Sequence, residues 1–119
     1  MARYLISFDR GWMDFPEEDL PDVARDARAV VQECADAGAF VFTSGLATDE
    51  RATVVSVDGT VTDGPYPETK EFVGGILVVD VPTRDEAVRW AAKVAVACRC
   101  TQEVREFLPD PTVDTLLTR

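Results

Sequence analysis

The stretch Gly74–Val79, which reads Gly-Gly-Ile-Leu-Val-Val, indicates how the whole chain is layered. Its two glycines lead into four apolar residues with no polar residue among them, so both faces of a strand formed here are apolar. Strands of this kind are covered on both sides, whereas a strand with one solvated face alternates apolar and polar residues. The stretch therefore predicts a central strand that needs a packing layer on each side.

Two amphipathic helices are predicted on either side of this strand in the sequence. The first begins at Pro21, which suits the first turn of a helix, and ends at Gly38. Its apolar face consists of Val23, Ala27, Val30, Val31 and Cys34. The second begins with a capping box formed by Thr83 and Glu86. Its apolar positions are Ala87, Trp90, Ala91, Val94 and Ala95.

Alternating or β-branched segments predict the remaining strands. These segments are Arg3 to Phe8, Ala39 to Ser44, and Thr101 to Leu108, which Pro109 ends. A β-hairpin is predicted from Ala52 to Thr62, because Asp58-Gly59 suits a tight two-residue turn between its strands.

The order of these elements is strand, helix, strand, hairpin, strand, helix, strand. It predicts an α+β, ferredoxin-like domain with an added hairpin. A single domain spans residues 1–119, with residues 109–119 as a short, loosely held tail. Two helices cover only one face of the sheet, so we expect a second copy of the chain to cover the other. A homodimer is therefore predicted.

Composition limits the function classes. The net charge of −10 disfavours nucleic acid and anionic membrane surfaces, and no apolar run is long enough to cross a bilayer. Three cysteines, an odd number, argue against a secreted disulfide framework, so a cytoplasmic location is expected. The chain has no histidine, which excludes imidazole as base or ligand.

Cofactor and metal binding are not predicted. Gly74-Gly75 lacks the spacing and helix context of a dinucleotide loop. Cys98 and Cys100 would share one face if they lay in a strand, where they could form a redox pair or bind a soft metal. A metal site needs about four ligands, and the chain offers no histidine and no second close cysteine pair. We therefore predict no cofactor and no metal.

The segment Asp63–Glu71, Asp-Gly-Pro-Tyr-Pro-Glu-Thr-Lys-Glu, resembles the DGPF signature of one branch of the YCII-related family. Further matches are Gly45-Leu46, Asp85-Glu86-Ala87 and Glu103-Val104-Arg105, and the resemblance runs from the first strand to about Leu108. It implies a dimeric α+β barrel in which two sheets pack face to face and each subunit has a cleft. Some members are associated with sigma factors, and a few relatives act on small aromatic or ketone-like compounds.

Two departures from the family pattern concern the motif and its chemistry. Tyr66 stands where the signature has phenylalanine. A catalytic pair of His and Asp, proposed for the compact branch of the family, is impossible in a chain without histidine.

Five residues are candidates for a site, and each has a structural alternative. Asp63 or Glu71 is a candidate general base; Tyr66, Lys70 and Arg105 are candidate ligand-binding residues, the last two for an anion. For Asp63 the role of a turn residue is the favoured alternative, and Arg105, between two glutamates, is equally a strand-surface partner. Three hypotheses follow: a homodimer binding a small polar or aromatic molecule, an enzyme with a carboxylate base, and an interaction module acting near a sigma factor.

Overall fold

The computed structural model of the chain describes residues 1–47, 51–65 and 72–117. Its strands are β1 (Ala2–Asp9), β2 (Phe40–Gly45), β3 (Thr53–Val55), β4 (Val61–Asp63), β5 (Val73–Val81) and β6 (Glu103–Glu106). Its helices are α1 (Leu20–Asp36), α2 (Arg84–Cys98) and the single-turn α3 (Pro111–Asp114). Two turns of 3-10 helix, Arg10–Trp12 and Glu17–Asp19, lie between β1 and α1.

The sheet has the ferredoxin-like arrangement that the element order predicts. Four strands pair in the order β2-β5-β1-β6, and every neighbouring pair is antiparallel. Helices α1 and α2 follow β1 and β5, and both pack on the same face of this sheet. Strands β3 and β4 form a separate two-stranded hairpin. The α+β, ferredoxin-like prediction with an added hairpin is confirmed.

Strand β5 is central, as its apolar sequence predicts, but its two faces differ in burial. Leu77, Val79 and Val81 are buried beneath the helices. Ile76 and Val78 point to the opposite face and are only half-buried. We call this opposite side the open face; it carries Arg3 and Leu5 of β1, Ile76, Val78 and Asp80 of β5, and Arg105 of β6.

Both main helices begin and end at the residues that their sequences suggest. Pro21 lies in the first turn of α1, and Gly38, with φ of 77°, ends it in the left-handed conformation that glycine tolerates. The hydroxyl of Thr83 accepts a hydrogen bond from the Glu86 amide at 3.2 Å, which caps α2. The predicted buried stripe of α1 includes Val23 and Cys34, which are among the most buried residues of the chain.

The hairpin is present, but the prediction of a two-residue turn is wrong. Val55 pairs with Val61, and the Ser56 amide donates to the Thr60 carbonyl at 2.8 Å, which leaves three residues in the loop. Gly59 takes the positive φ of 91° after a turn closed by its own amide on Ser56, an arrangement typical of three-residue hairpins. The Asp-Gly pair thus uses only one left-handed residue.

The C-terminal part differs from its prediction in two places. Helix α2 continues through Cys98, and Arg99 follows in the left-handed conformation with φ of 56°, so residues 98–100 do not form a strand. Strand β6 is accordingly shorter than the predicted Thr101 to Leu108. In the tail, Asp110 caps the turn α3 by accepting from the Val113 amide at 3.2 Å.

Candidate ligand-binding site

A cavity of about 170 Å³ lies between the two main helices and the sheet face that they cover. The sheet contributes Ile6, Phe8, Thr43, Ser44, Gly45, Gly75, Ile76 and Leu77 to its lining, and the helical side contributes Ala27, Val30, Val31, Val94, Cys98 and Gln102. These residues come from β1, β2, β5, α1, α2 and the segment before β6. The cavity is therefore built by the ferredoxin-like framework itself.

Glycines in β2 and β5 leave room for the cavity at the ends of these strands. Gly75 faces the ring of Phe8, and a Cβ atom placed on Gly75 would lie 3.0 Å from Phe8 Cε1. A Cβ atom on Gly45 would meet only the Gly74 carbonyl oxygen, at 3.8 Å. A side chain at residue 75 would therefore displace the ring that forms one wall, whereas residue 45 has free space beside it.

The polar side chains near the cavity use their donors within the protein and leave acceptor atoms for a ligand. The Thr43 hydroxyl donates its proton to the Ile76 carbonyl oxygen, and the Ser44 hydroxyl donates to the Gly45 carbonyl oxygen, each at 2.8 Å. Gln102 Nε2 donates to the Cys100 carbonyl oxygen at 3.4 Å and lies 3.3 Å from the Cys100 sulfur. Ser44 pairs with Ile76 and its side chain belongs to the open face, so the Thr43 hydroxyl lone pairs and the Gln102 Oε1 atom are left to accept from a guest.

The two thiols near the cavity are protonated at neutral pH. Burial raises the pKa of Cys98, although the adjacent Arg99 lowers it in part. Burial, and then the neighbouring Cys98, raises the pKa of Cys100 to about 11, against a lowering by the Gln102 side chain. A thiol is a nucleophile only as the thiolate, so neither group is a nucleophile at neutral pH, and Cys98 is a weakly polar part of the cavity wall.

The outer surface of the helical layer is held by two ion pairs between α1 and α2. Arg99 Nη2 lies 3.2 Å from Asp26 Oδ2, and Lys93 Nζ lies 2.8 Å from Glu33 Oε1. Asp26 and Arg99 are chain neighbours of Ala27 and Cys98, which line the cavity. Ion pairs to α2 and the residue after it thus lie on both sides of Val30 and Val31, the valines of α1 that line the cavity.

Residues 17–109 match the family model of the YCII-related domain. The match covers more than half of the chain and includes both helices above the cavity. The chain belongs to the YCII-related domain family. The predicted family is therefore confirmed. The matched residues begin after β1, so the match does not cover the resemblance predicted for the first strand. No curated protein matches the sequence significantly.

In this YCII-related domain, Asp63 is the candidate residue of the signature that falls within the described residues. Tyr66, Lys70 and Glu71 lie outside the described residues. Asp63 is the exposed last residue of β4, opposite Thr53 in the hairpin. It does not line the cavity, and none of the described carboxylate side chains does.

Arg105 lies on the other side of the sheet from the cavity. It is exposed on β6 opposite Leu5, and its Nε atom is 3.9 Å from Glu103 Oε1. The preceding Val104 packs against the core below the helices, so Arg105 belongs to the open face. The surface pairing considered for this residue is present, and its side chain does not reach a ligand in the cavity.

Asp9 is a structural residue beside the cavity that sequence reasoning passed over. Its Oδ1 atom accepts from the Gly11 amide at 2.7 Å, and its Oδ2 atom accepts from the Phe72 amide at 2.9 Å. The Arg10 amide donates to the Phe72 carbonyl oxygen at 2.8 Å. These bonds hold the start of β5 against the end of β1. The sequence signal was only an Asp two residues before a Gly, which is typical of a turn.

The described residues contain neither a metal-binding cluster nor a membrane-spanning helix. Across residues 1–47, 51–65 and 72–117, no group of three or more His, Cys, Asp or Glu side chains is placed to hold a metal ion. None of the helices in these ranges is both long and apolar enough to cross a bilayer.

Proposed function

We propose that this YCII-related domain is a homodimer that binds a small, uncharged aromatic molecule in the cavity between its helices and its sheet. The observation that carries the proposal is the cavity itself, an apolar space of about 170 Å³ with a few acceptor groups in its wall. Ligand sites have this character, in which apolar side chains supply contact area and a few polar groups orient the guest.

The size and polarity of the cavity select the ligand class. An engineered apolar cavity of about 150 Å³ in another protein stays dry and binds benzene, so a single aromatic ring is the matching size. Among the residues that the structure describes, no charged side chain lines the cavity, and burying an unpaired charge is costly. The acceptors of Thr43 and Gln102 favour a guest with an O–H or N–H group, as in a phenol.

The dimer is supported by the shape of the single chain. Its radius of gyration is 16.1 Å. A compact domain of this length would have a value of about 13.5 Å. The open face has Leu5, Ile76 and Val78 at its centre, and a twofold partner can cover the same patch on both copies. The proposed dimer therefore buries the face that α1 and α2 leave uncovered.

A cytoplasmic location is proposed from the cysteines. Cys34, Cys98 and Cys100 are all free thiols, and unpaired thiols persist in a reducing compartment. Fractionation of cells that produce the protein tests this; recovery outside the cytoplasm would contradict the proposal.

The binding proposal is tested by thermal unfolding with three single-ring probes, phenol, toluene and benzoate. At ten times its dissociation constant, a ligand that binds only the folded state stabilises it by about 1.4 kcal/mol. For a chain of this length, this corresponds to a rise in Tm of about 5 °C. We expect phenol to give the largest rise, toluene a smaller one, and benzoate none.

Two variants of α1 make the test specific to the cavity. Ala27→Leu places a larger side chain in the cavity, while Ala29→Leu makes the same change at an exposed position of the same helix. We expect Ala27→Leu to abolish the rise with phenol and Ala29→Leu to preserve it. An equal rise in both variants, or no rise with any probe in the unmodified chain, would contradict the proposed site.

The dimer is tested separately by sedimentation equilibrium over a wide range of protein concentrations. We expect one dimeric species at micromolar concentration. A chain that remains monomeric throughout contradicts the dimer. The cavity of the single subunit is then tested by the probes alone.

A further inference from the structure

We propose that the cavity selects an aromatic ring with hydrogen-bond donors at both para positions, one donor bound by Thr43 and the other by Gln102. The inference rests on the binding function proposed above and adds to it the arrangement of polar groups on the guest. The observation that carries it is the position of the two acceptors. Thr43 lies on one edge strand of the sheet, and Gln102 directly precedes the other edge strand.

Thr43 supplies the acceptor at the β2 edge of the cavity. It pairs with Leu77, which is buried beneath the helices, and directly paired residues point to the same face of a sheet. Its side chain therefore lies in the helical layer, where it lines the cavity. Because its hydroxyl proton is donated to the Ile76 carbonyl oxygen at 2.8 Å, the lone pairs of the oxygen are what it offers to a guest.

Gln102 supplies the acceptor at the β6 edge. Val104, two residues further along, packs on the core, and residues two apart in an extended segment lie on the same side. Gln102 accordingly lines the cavity, whereas Arg105 points to the open face. Its Nε2 atom lies 3.4 Å from the Cys100 carbonyl oxygen and 3.3 Å from the Cys100 sulfur. These contacts use the donor end of the amide and orient it, so the Oε1 atom is left for a guest.

The sheet sets the distance between the two acceptors. One row of paired residues crosses the four strands and consists of Thr43, Leu77, Ile6 and Val104. Neighbouring strands lie about 4.8 Å apart, so the two ends of this row are about 14 Å apart. Gln102 is two residues from Val104, a further displacement of about 7 Å along the strand, which puts its backbone about 16 Å from that of Thr43.

A single aromatic ring matches what remains of this span. The two side chains reach toward each other from the sheet edges, and a hydrogen bond of about 2.8 Å is needed at each end. A ring with donors in para positions has them at its two far ends and reaches both acceptors. A ring with donors on adjacent carbons directs both to one end, and a ring with one donor leaves the second acceptor without a partner in an apolar wall.

The test measures dissociation constants by isothermal titration calorimetry at pH 7.5 under nitrogen, with phenol, 4-aminophenol, 4-methylphenol and 2-aminophenol. The methyl group of 4-methylphenol has nearly the shape of the amino group and cannot donate. The isomer 2-aminophenol has the same two donors at one end of the ring. We expect 4-aminophenol to bind at least about fivefold more tightly than either, because pairing a buried acceptor has a net effect of this order.

Variants of the two acceptors make the test specific to them. Gln102→Met keeps the side-chain length without the amide, and Thr43→Val keeps the shape without the hydroxyl. We expect each to reduce the preference for 4-aminophenol over 4-methylphenol to less than about twofold, since one acceptor is gone. Thr43→Ser keeps a hydroxyl and should retain the preference. Gln32→Met makes the glutamine change at an exposed position of α1 and should leave the preference unaltered.

The outcomes separate this inference from the function on which it rests. If none of the four compounds binds the unmodified chain, the binding function and the donor arrangement fall together. If phenol binds but 4-aminophenol binds no more tightly than 4-methylphenol or 2-aminophenol, the donor arrangement alone is overturned. An undiminished preference in Gln102→Met also overturns it. Circular dichroism verifies the fold of each variant, and Gln102→Met decides the question if Thr43→Val does not fold.

Discussion

The ring of Phe8 lies directly against Gly75, its partner in the pairing of β1 with β5. A Cβ atom on Gly75 would be 3.0 Å from Phe8 Cε1 and 3.1 Å from Phe8 Cζ, and a Cβ atom on Gly74 would be 2.8 Å from Phe8 Cε2. The ring thus occupies the space that two side chains would otherwise take. Because Phe8 and Gly75 both line the cavity, this contact sets the shape of one cavity wall.

The first prediction concerns Gly75→Ala. The added methyl group forces the Phe8 ring to move within a packed layer, so we expect unfolding free energy to fall by about 1–3 kcal/mol. Urea unfolding measures the loss, and the displaced ring should also weaken phenol binding. Gly45→Ala is the matched control, because its methyl group has only an ordinary contact, at 3.8 Å from the Gly74 carbonyl oxygen. Equal losses in the two variants would contradict the role of the Phe8 contact.

Much of the fold could be predicted because its signals are local. Thr83 with Glu86, Pro21 and Gly38 mark the helix ends by backbone chemistry that needs no tertiary information. The continuous apolar run of β5 indicated a central strand for the same reason. The extra loop residue of the hairpin could not be read in this way, since Asp58-Gly59 suits both a two-residue turn and the three-residue turn observed.

The cavity was harder to predict, because its lining comes from residues far apart in the chain. Val30, Val31 and Val94 were recognised as apolar helix positions, but a helical stripe does not tell whether its residues fill the space above the sheet or leave part of it empty. Arg105 was identified as a possible anion-binding residue by its residue type. The alternation of side chains along β6 decides which sheet face Arg105 occupies. That face follows only once Val104 is known to pack on the core.

The second prediction concerns Arg99, a non-glycine residue in the left-handed conformation. Its side chain offsets the backbone cost, because Nη1 donates to the Ala97 carbonyl oxygen at 2.7 Å and Nη2 contacts Asp26. Arg99→Ala loses both contacts and retains the strain, whereas Arg99→Gly loses the contacts and relieves it. We expect the alanine variant to be about 1 kcal/mol less stable than the glycine variant in urea unfolding. Equal stability of the two variants would show that this backbone conformation carries no cost.

The third prediction concerns the pH dependence of stability at alkaline pH. The pKa of Cys100 is raised from 9.0 to about 11 in the folded chain, mainly by burial. The folded state therefore keeps the thiol proton in a pH range where the unfolded chain has lost it. The stability associated with this group is fully present below pH about 9 and is lost as the pH rises from about 9 to about 11.

Urea unfolding between pH 8 and 10.5 measures this dependence, with Cys100→Ser as the comparison. Serine does not titrate in this range and retains a polar group beside Gln102. We expect the stability of the unmodified chain to fall more steeply with pH than that of the variant. Parallel curves for the two proteins would mean that Cys100 has the same pKa in the folded and unfolded states.

The fourth prediction concerns Asp9, whose carboxylate joins the two central strands beside the cavity. Asp9→Ala removes the acceptors of the Gly11 and Phe72 amides, so the Phe72 amide loses its partner at the point where β5 begins. Hydrogen bonds to charged groups contribute about 1.5–3 kcal/mol each, and we expect a loss of about 2 kcal/mol in urea unfolding. Asp14→Ala, at an exposed position in the same acidic segment, removes one charge as well and should cost less than about 0.5 kcal/mol.

Because Phe8 precedes Asp9 and packs on Gly75, the Asp9 variant should also bind phenol more weakly at a temperature where it is still folded. Unchanged stability in Asp9→Ala would show that the start of β5 is held by the backbone pairing alone.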